Sequence, residues 1–115
     1  MIKTDGYYRS KKYLSRDIHA GHLFENHMYT YYVFKENSNK YLMYISEENG
    51  LRKQDIEREL TVSKSTYQFH DKNTLITNLD PSKSYCKDTV FKILSADTIE
   101  KNGEQYHFHP WPNEE

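Results

Sequence analysis

The stretch MYTYYVFKE (residues 28–36), NSN (37–39) and KYLMYISE (40–47) decides how this chain reads. Two runs rich in tyrosine, valine, phenylalanine and isoleucine flank Asn37, Ser38 and Asn39, the pattern of two antiparallel strands joined by a short turn. Successive side chains of a strand point to opposite faces. In the second run Tyr41, Met43 and Ile45 therefore share one face while Leu42, Tyr44 and Ser46 share the other, so neither face is wholly polar. This hairpin predicts burial on both sides, or a core on one side and a contact surface on the other.

Toward the N-terminus, Gly6 to Lys12 reads as a tyrosine-rich first strand after the turn-forming pair Asp5-Gly6. Tyr13 to His27 mixes Leu14, Ile18, Leu23 and Phe24 with Ala20-Gly21, and reads as a loop with one short helical turn. Toward the C-terminus, Leu51, Ile56 and Leu60 lie among charged residues and suit a short amphipathic helix over Leu51 to Leu60. A charged strand from Ile56 to Val62 is the competing reading. Strand signals then return: Tyr67 and Phe69 alternate with Gln68 and His70, and Asp71-Lys72-Asn73 turns the chain into Thr74 to Leu79. Asp80-Pro81-Ser82 closes that hairpin, because proline cannot donate to a central ladder. Tyr85 to Leu94 reads as a long strand with Tyr85, Thr89, Phe91 and Ile93 on one face, and Val90 and Leu94 on the other. A last hairpin joins Thr98 to Glu100 with Glu104 to His109 through Asn102-Gly103, residues that tolerate a positive φ. Pro110 and Pro112 end it.

About eight short strands and one helix in 115 residues predict a single, mainly β domain, a small antiparallel barrel or sandwich. Hydrophobic residues make up only 36% of the chain, yet eleven tyrosines and five phenylalanines supply large buried area per side chain and point to an aromatic core. Sixteen basic and seventeen acidic residues nearly cancel, so overall charge does not favour nucleic acid or an anionic membrane. A local basic patch of Arg9, Lys11, Lys12 and Arg16, interleaved with Tyr7, Tyr8 and Tyr13, has the look of a backbone-tracking arm but reads more simply as a solvated strand and loop. No apolar run approaches the length of a membrane span. The lone Cys86 and the polar opening MIKTDGYYRSKKY together predict a reducing, cytoplasmic setting.

The order of parts resembles the calycin, or lipocalin-like, superfamily: a Gly6-Tyr7-Tyr8 opening strand, successive hairpins, and a closing Asn-Gly hairpin that ends in Tyr106-His107-Phe108. Small bacterial lipocalin-like domains look like this. The resemblance implies a noncatalytic binding module that holds a small apolar ligand inside a barrel. Tyr8, Tyr31, Tyr41, Met43, Tyr67, Phe91 and Tyr106 are then its ligand-binding wall residues, with Val33, Ile45, Phe69, Ile93 and Phe108 beside them. Tyrosine hydroxyls would orient the ligand's polar end.

Chemistry-bearing motifs are sparse. His19, His22 and His27 stand near Asp17 and Glu25, and His107 and His109 share a strand face with His70 as a third neighbour, but neither set has an established metal spacing. No metal, no cofactor and no enzymatic activity are expected. Cys86 lacks a thiol-enzyme signature, and four glycines form no phosphate loop. The alternative reading is a small protein-binding immunity or inhibitor protein. It would act through a tyrosine-rich sheet face and the mixed-charge segment around Asp55, because tyrosine and arginine favour interface hot spots.

Overall fold

The computed structural model describes residues 2–78 and 88–112. The chain is mainly β, as its alternation predicts: nine antiparallel strands in one sheet and one short helix. The strands are β1 (Gly6–Arg9), β2 (Tyr13–His19), β3 (His22–Phe34), β4 (Tyr41–Ser46), β5 (Thr66–Asp71), β6 (Thr74–Asn78), β7 (Asp88–Ser95), β8 (Thr98–Lys101) and β9 (Glu104–Pro110); helix α1 spans Lys53–Val62. No helix among the described residues is long and apolar enough to cross a membrane.

The sheet follows the order β4-β3-β1-β9-β8-β7-β6-β5, and β2 pairs with the N-terminal half of β3. It curls until the turn end of the β3–β4 hairpin reaches the start of β5. There a single Lys40–Thr66 bridge forms, flanked by amide bonds from Tyr41 to the Ser65 carbonyl (3.2 Å) and from Tyr67 to the Asn39 carbonyl (2.8 Å). The strands then part, so the barrel expected from the sequence stays open.

The central hairpin forms in register, Tyr32 opposite Met43 and Phe34 opposite Tyr41. Burial on both of its faces follows from two cores. One fills the concave side of the sheet with Tyr8, Tyr32, Phe34, Tyr41, Leu75, Phe91, Ile93, Ile99 and Tyr106. The other lies on the convex side, where α1 lays Ile56 and its preceding Leu51 over Tyr7, Tyr29, Tyr31 and Val33. At the C-terminal end of β3 Tyr29, Tyr31 and Val33 thus join the core beneath the helix, and Tyr32 and Phe34 the concave core.

Several boundaries and one element differ from the sequence reading. The helix begins and ends two residues later than the apolar spacing suggests, and the competing strand over Ile56 to Val62 does not form, because Ile56 is the contact that anchors the helix. The first strand stops at Arg9. The final strand runs through Pro110, which pairs with Gly6 at its margin. Asp80-Pro81-Ser82, Tyr85 and Cys86 lie outside the described residues, and Phe91 and Ile93 point inward with Val90 and Leu94 outward as their alternation requires.

The larger correction concerns Tyr13 to His27, which is no loop but a two-stranded ribbon. Ala20 (φ 52°) and Gly21 (φ 79°) form its tight turn, and the two strands pair without interruption from Tyr13–Met28 to His19–His22. Alternation alone missed it because the β1–β3 ladder (Arg9 opposite Tyr31) and the β2–β3 ladder differ by one residue in register. The extra residue is accommodated around Ser10, whose amide donates to the Thr30 carbonyl and whose hydroxyl accepts from the Thr30 amide, both at 2.9 Å. Such a bulge swaps faces, so odd residues before it and even residues after it share a side.

Candidate functional site

The seven residues expected to line a ligand cavity do not form one wall. Tyr8, Tyr41, Phe91 and Tyr106 belong to the concave core, with Met43 and Tyr67 packed against it. Tyr31 sits on the opposite face, beneath α1, because it is one position out of phase with Tyr32. Of the neighbouring positions, Ile45 and Phe69 are exposed and Val33 is on the helix side.

The concave core is packed by its own rings. Tyr32 meets Phe91 and Tyr106 edge-on, each at 4.9 Å between centroids, and Phe34 meets Tyr67 at 5.0 Å. Tyr8, Leu75, Phe91 and Ile99 have no surface that water can reach, so no void of even one water adjoins them. The hydroxyls are engaged as well. Tyr8 donates to the Ala96 carbonyl (2.7 Å) and accepts from the Lys3 amide (2.8 Å), Tyr67 donates to the Lys35 carbonyl (3.3 Å), and Tyr106 reaches Glu104 (3.3 Å). Burial pushes the Tyr8 and Tyr106 phenols up to about 12 and raises that of Tyr32 further. Tyr31 donates to the Glu48 carbonyl and accepts from the Gly50 amide at 2.8 Å, tying the loop before α1 to the sheet.

Two features of the surface remain. The first is a groove of about 440 Å³ between β4 and the start of α1, lined by Tyr44, Ser46, Glu48, Leu51, Arg52 and Asp55. It brings together Tyr44 and the charged segment singled out in the sequence. Most other tyrosines are not available to a partner: Tyr7, Tyr8, Tyr29, Tyr31, Tyr32, Tyr41 and Tyr106 are buried, so the described residues present no broad tyrosine-rich face.

The second is the β2–β3 ribbon, which carries apolar side chains yet joins neither core. On one of its faces Ile18 is 70% exposed, its cross-strand partner Leu23 58% and Leu14 39%; Phe24, on the other face, is 49% exposed. Arg16 and Glu25 face each other on the first side, 3.2 Å apart. Seven paired residues make the ribbon about 24 Å long. Its large apolar residues were visible in the sequence, but the side of the sheet on which Leu14 and Ile18 lie was hidden by the one-residue shift at Ser10.

The basic positions Arg9, Lys11, Lys12 and Arg16 do not form one stripe: Arg9 folds over the Tyr29 ring at 4.9 Å, Lys11 and Lys12 fall at the bulge, and Arg16 pairs with Glu25. His19 bonds to Asp17 at 2.7 Å on the ribbon, and His27 lies on the other face. No group of three potential metal ligands occurs among the described residues. No protein-family model, curated protein or solved structure matches the chain.

Proposed function

We propose that this chain is a noncatalytic protein-binding module, in the manner of a small immunity or inhibitor protein, and that the β2–β3 ribbon is its binding element. The observation that carries this reading is the exposure of Leu14, Ile18, Leu23 and Phe24 on one two-stranded element that supports neither core. Scattered apolar residues on a surface need no explanation, but Leu14, Ile18 and Leu23 share one face of the ribbon, and contacts use apolar residues grouped in this way. The outer strand edges of the ribbon are an additional template, since an edge offers amide and carbonyl groups to a partner's strand. The Tyr44–Asp55 groove supplies an aromatic and charged flank on the body.

The test is a photo-crosslinking amino acid placed at Ile18 and, as a control, at the exposed turn residue Lys72, in the protein's native host. A discrete protein adduct from position 18, lost when Leu14 and Leu23 are also changed to serine, supports the reading. Adducts that are absent, or equal from both positions, sink it.

A second reading, a lipocalin-like module that holds a small apolar ligand, draws on the convergence of Tyr8, Tyr41, Met43, Tyr67, Phe91 and Tyr106 at one core. The absence of water-accessible surface on Tyr8 and Phe91, and the internal partners of the hydroxyls, weigh against it. Native mass spectrometry of freshly purified protein decides: a bound species of defined mass that protects the fold favours the ligand, and the bare chain mass favours the protein partner.

A further inference from the structure

The ribbon divides the histidines near its turn between its two faces. His27 shares a face with Leu14, whereas Asp17 and His19 of β2 alternate onto the other, where His22 stands directly opposite His19 and Phe24 opposite Asp17. Only Ala20 (φ 52°) and Gly21 (φ 79°) separate His19 from His22, and a turn this tight leaves no slack between them. Directly opposed residues of an antiparallel pair have Cα atoms about 5 Å apart, with both side chains on one face. Asp17, His19 and His22 are all exposed.

His19 is already oriented. Its Nε2 lies 2.7 Å from Asp17 Oδ2, and its ring stands 5.9 Å from that of Phe24. A proton shared between Nε2 and the carboxylate leaves the lone pair on Nδ1. Metal-binding histidines are held in this manner, the second ring nitrogen resting on a carboxylate that fixes the tautomer and raises the basicity of the first. Because Asp17 serves His19 in this way, the ribbon contributes two ligands, in keeping with the lack of any three-ligand group among the described residues.

We propose that His19, through Nδ1, and His22 bind one divalent transition-metal ion of the zinc or copper kind at the tip of the ribbon, with Asp17 as the residue that positions His19. Neutral imidazole suits these ions, at about 2.0–2.1 Å for zinc, whereas hard cations such as magnesium take oxygen ligands. The exposed His22 side chain turns about its own single bonds to meet an ion held on His19, and water fills the remaining positions. An ion that bridges β2 and β3 binds the paired ribbon and not its opened form, so it stabilises the pairing. This site goes beyond the partner-binding reading and does not rest on it: Leu14, Ile18 and Leu23 project from the opposite face.

Titration of the full-length protein with Zn2+ alone, followed by NMR of the histidine ring protons, tests it. The expected result is a saturable shift of His19 and His22 together, at one ion per chain, with His27 unmoved over the same range and Mg2+ without effect. His19→Gln and His22→Gln should each weaken binding at least about tenfold, and the double variant should be little worse than either, because a lone imidazole binds like any surface histidine. Asp17→Asn should weaken binding about tenfold and Asp17→Glu should recover most of it. Zn2+ should also slow hydrogen exchange in residues 14–18 and 23–27 about threefold or more while leaving β6 and β7 unchanged. Shifts of His19 and His22 that occur at different concentrations, that accompany an equal shift of His27, or that survive either single substitution overturn the proposal. Asp17, His19 and His22 lie outside both cores, so these variants keep the fold.

Discussion

Tyrosine is the residue on which this molecule's chemistry turns, because its ring fills a core and its hydroxyl must then find a partner. Tyr8 has two, the Ala96 carbonyl and the Lys3 amide, which fasten the chain's N-terminal segment to the β7–β8 turn. Tyr8→Phe keeps the ring and leaves those groups unpaired, so a loss of about 1–3 kcal/mol is expected in urea unfolding. Buried phenols also set the alkaline limit. An unfolded chain releases its phenol protons from about pH 10, whereas folded Tyr8 and Tyr106 hold theirs to about 12. The protonated folded state is therefore fully stable below pH 10 and loses stability as pH rises from 10 toward 12. Tyrosinate absorbance and loss of circular dichroism should appear together across that interval; tyrosinate formed well before unfolding would contradict the burial. Gly6 is as demanding in the opposite sense. A Cβ there would fall 2.1 Å from the His109 carbonyl oxygen and 2.7 Å from Pro110 Cα, so Gly6→Ala must push β1 from β9 and should cost at least about 2 kcal/mol in thermal or urea unfolding.

At the scale of elements, the two tight turns make a controlled pair. Asn102 (φ 51°) and Gly103 (φ 82°) close β8–β9 with residues suited to positive φ, while the ribbon turn places Ala20 at φ 52° ahead of Gly21. Alanine in that region costs roughly 1 kcal/mol. Ala20→Gly is expected to slow hydrogen exchange in residues 14–18 and 23–27 about threefold or more, without changing exchange in β6 and β7, because the ribbon packs on neither core. Equal protection in both regions would mean that the ribbon unfolds with the body. The Asn-Gly turn was legible in the sequence because both of its strands alternate cleanly; the Ala-Gly turn was not, because one extra residue at Ser10 reverses the phase of the alternation between Arg9 and Leu14.

The whole molecule separates its apolar residues into those that hold the fold and those left outside it. Phe91→Ala empties a site in the concave core and should destabilise by about 3–5 kcal/mol. The pair Leu14→Ser and Leu23→Ser should change unfolding by no more than about 0.5 kcal/mol while abolishing the crosslink from position 18. A large loss of stability in the second variant would place the ribbon within the cooperative fold and remove the basis for its proposed role.

Composition and alternation by themselves determined that this chain is mainly β with an aromatic core, and where the turns at Asn37 to Asn39, Asp71 to Asn73 and Asn102-Gly103 fall, because each of these depends on spacing over a few residues. Only the tertiary structure decided that the sheet stays open, that Tyr31 faces away from Tyr8, that Tyr13 to His27 is a paired ribbon, that the helix begins after Leu51, and that Arg9 settles over Tyr29. Those outcomes depend on strand register, and register is set between segments distant along the chain: a one-residue shift moves every following side chain to the other face without altering any local pattern.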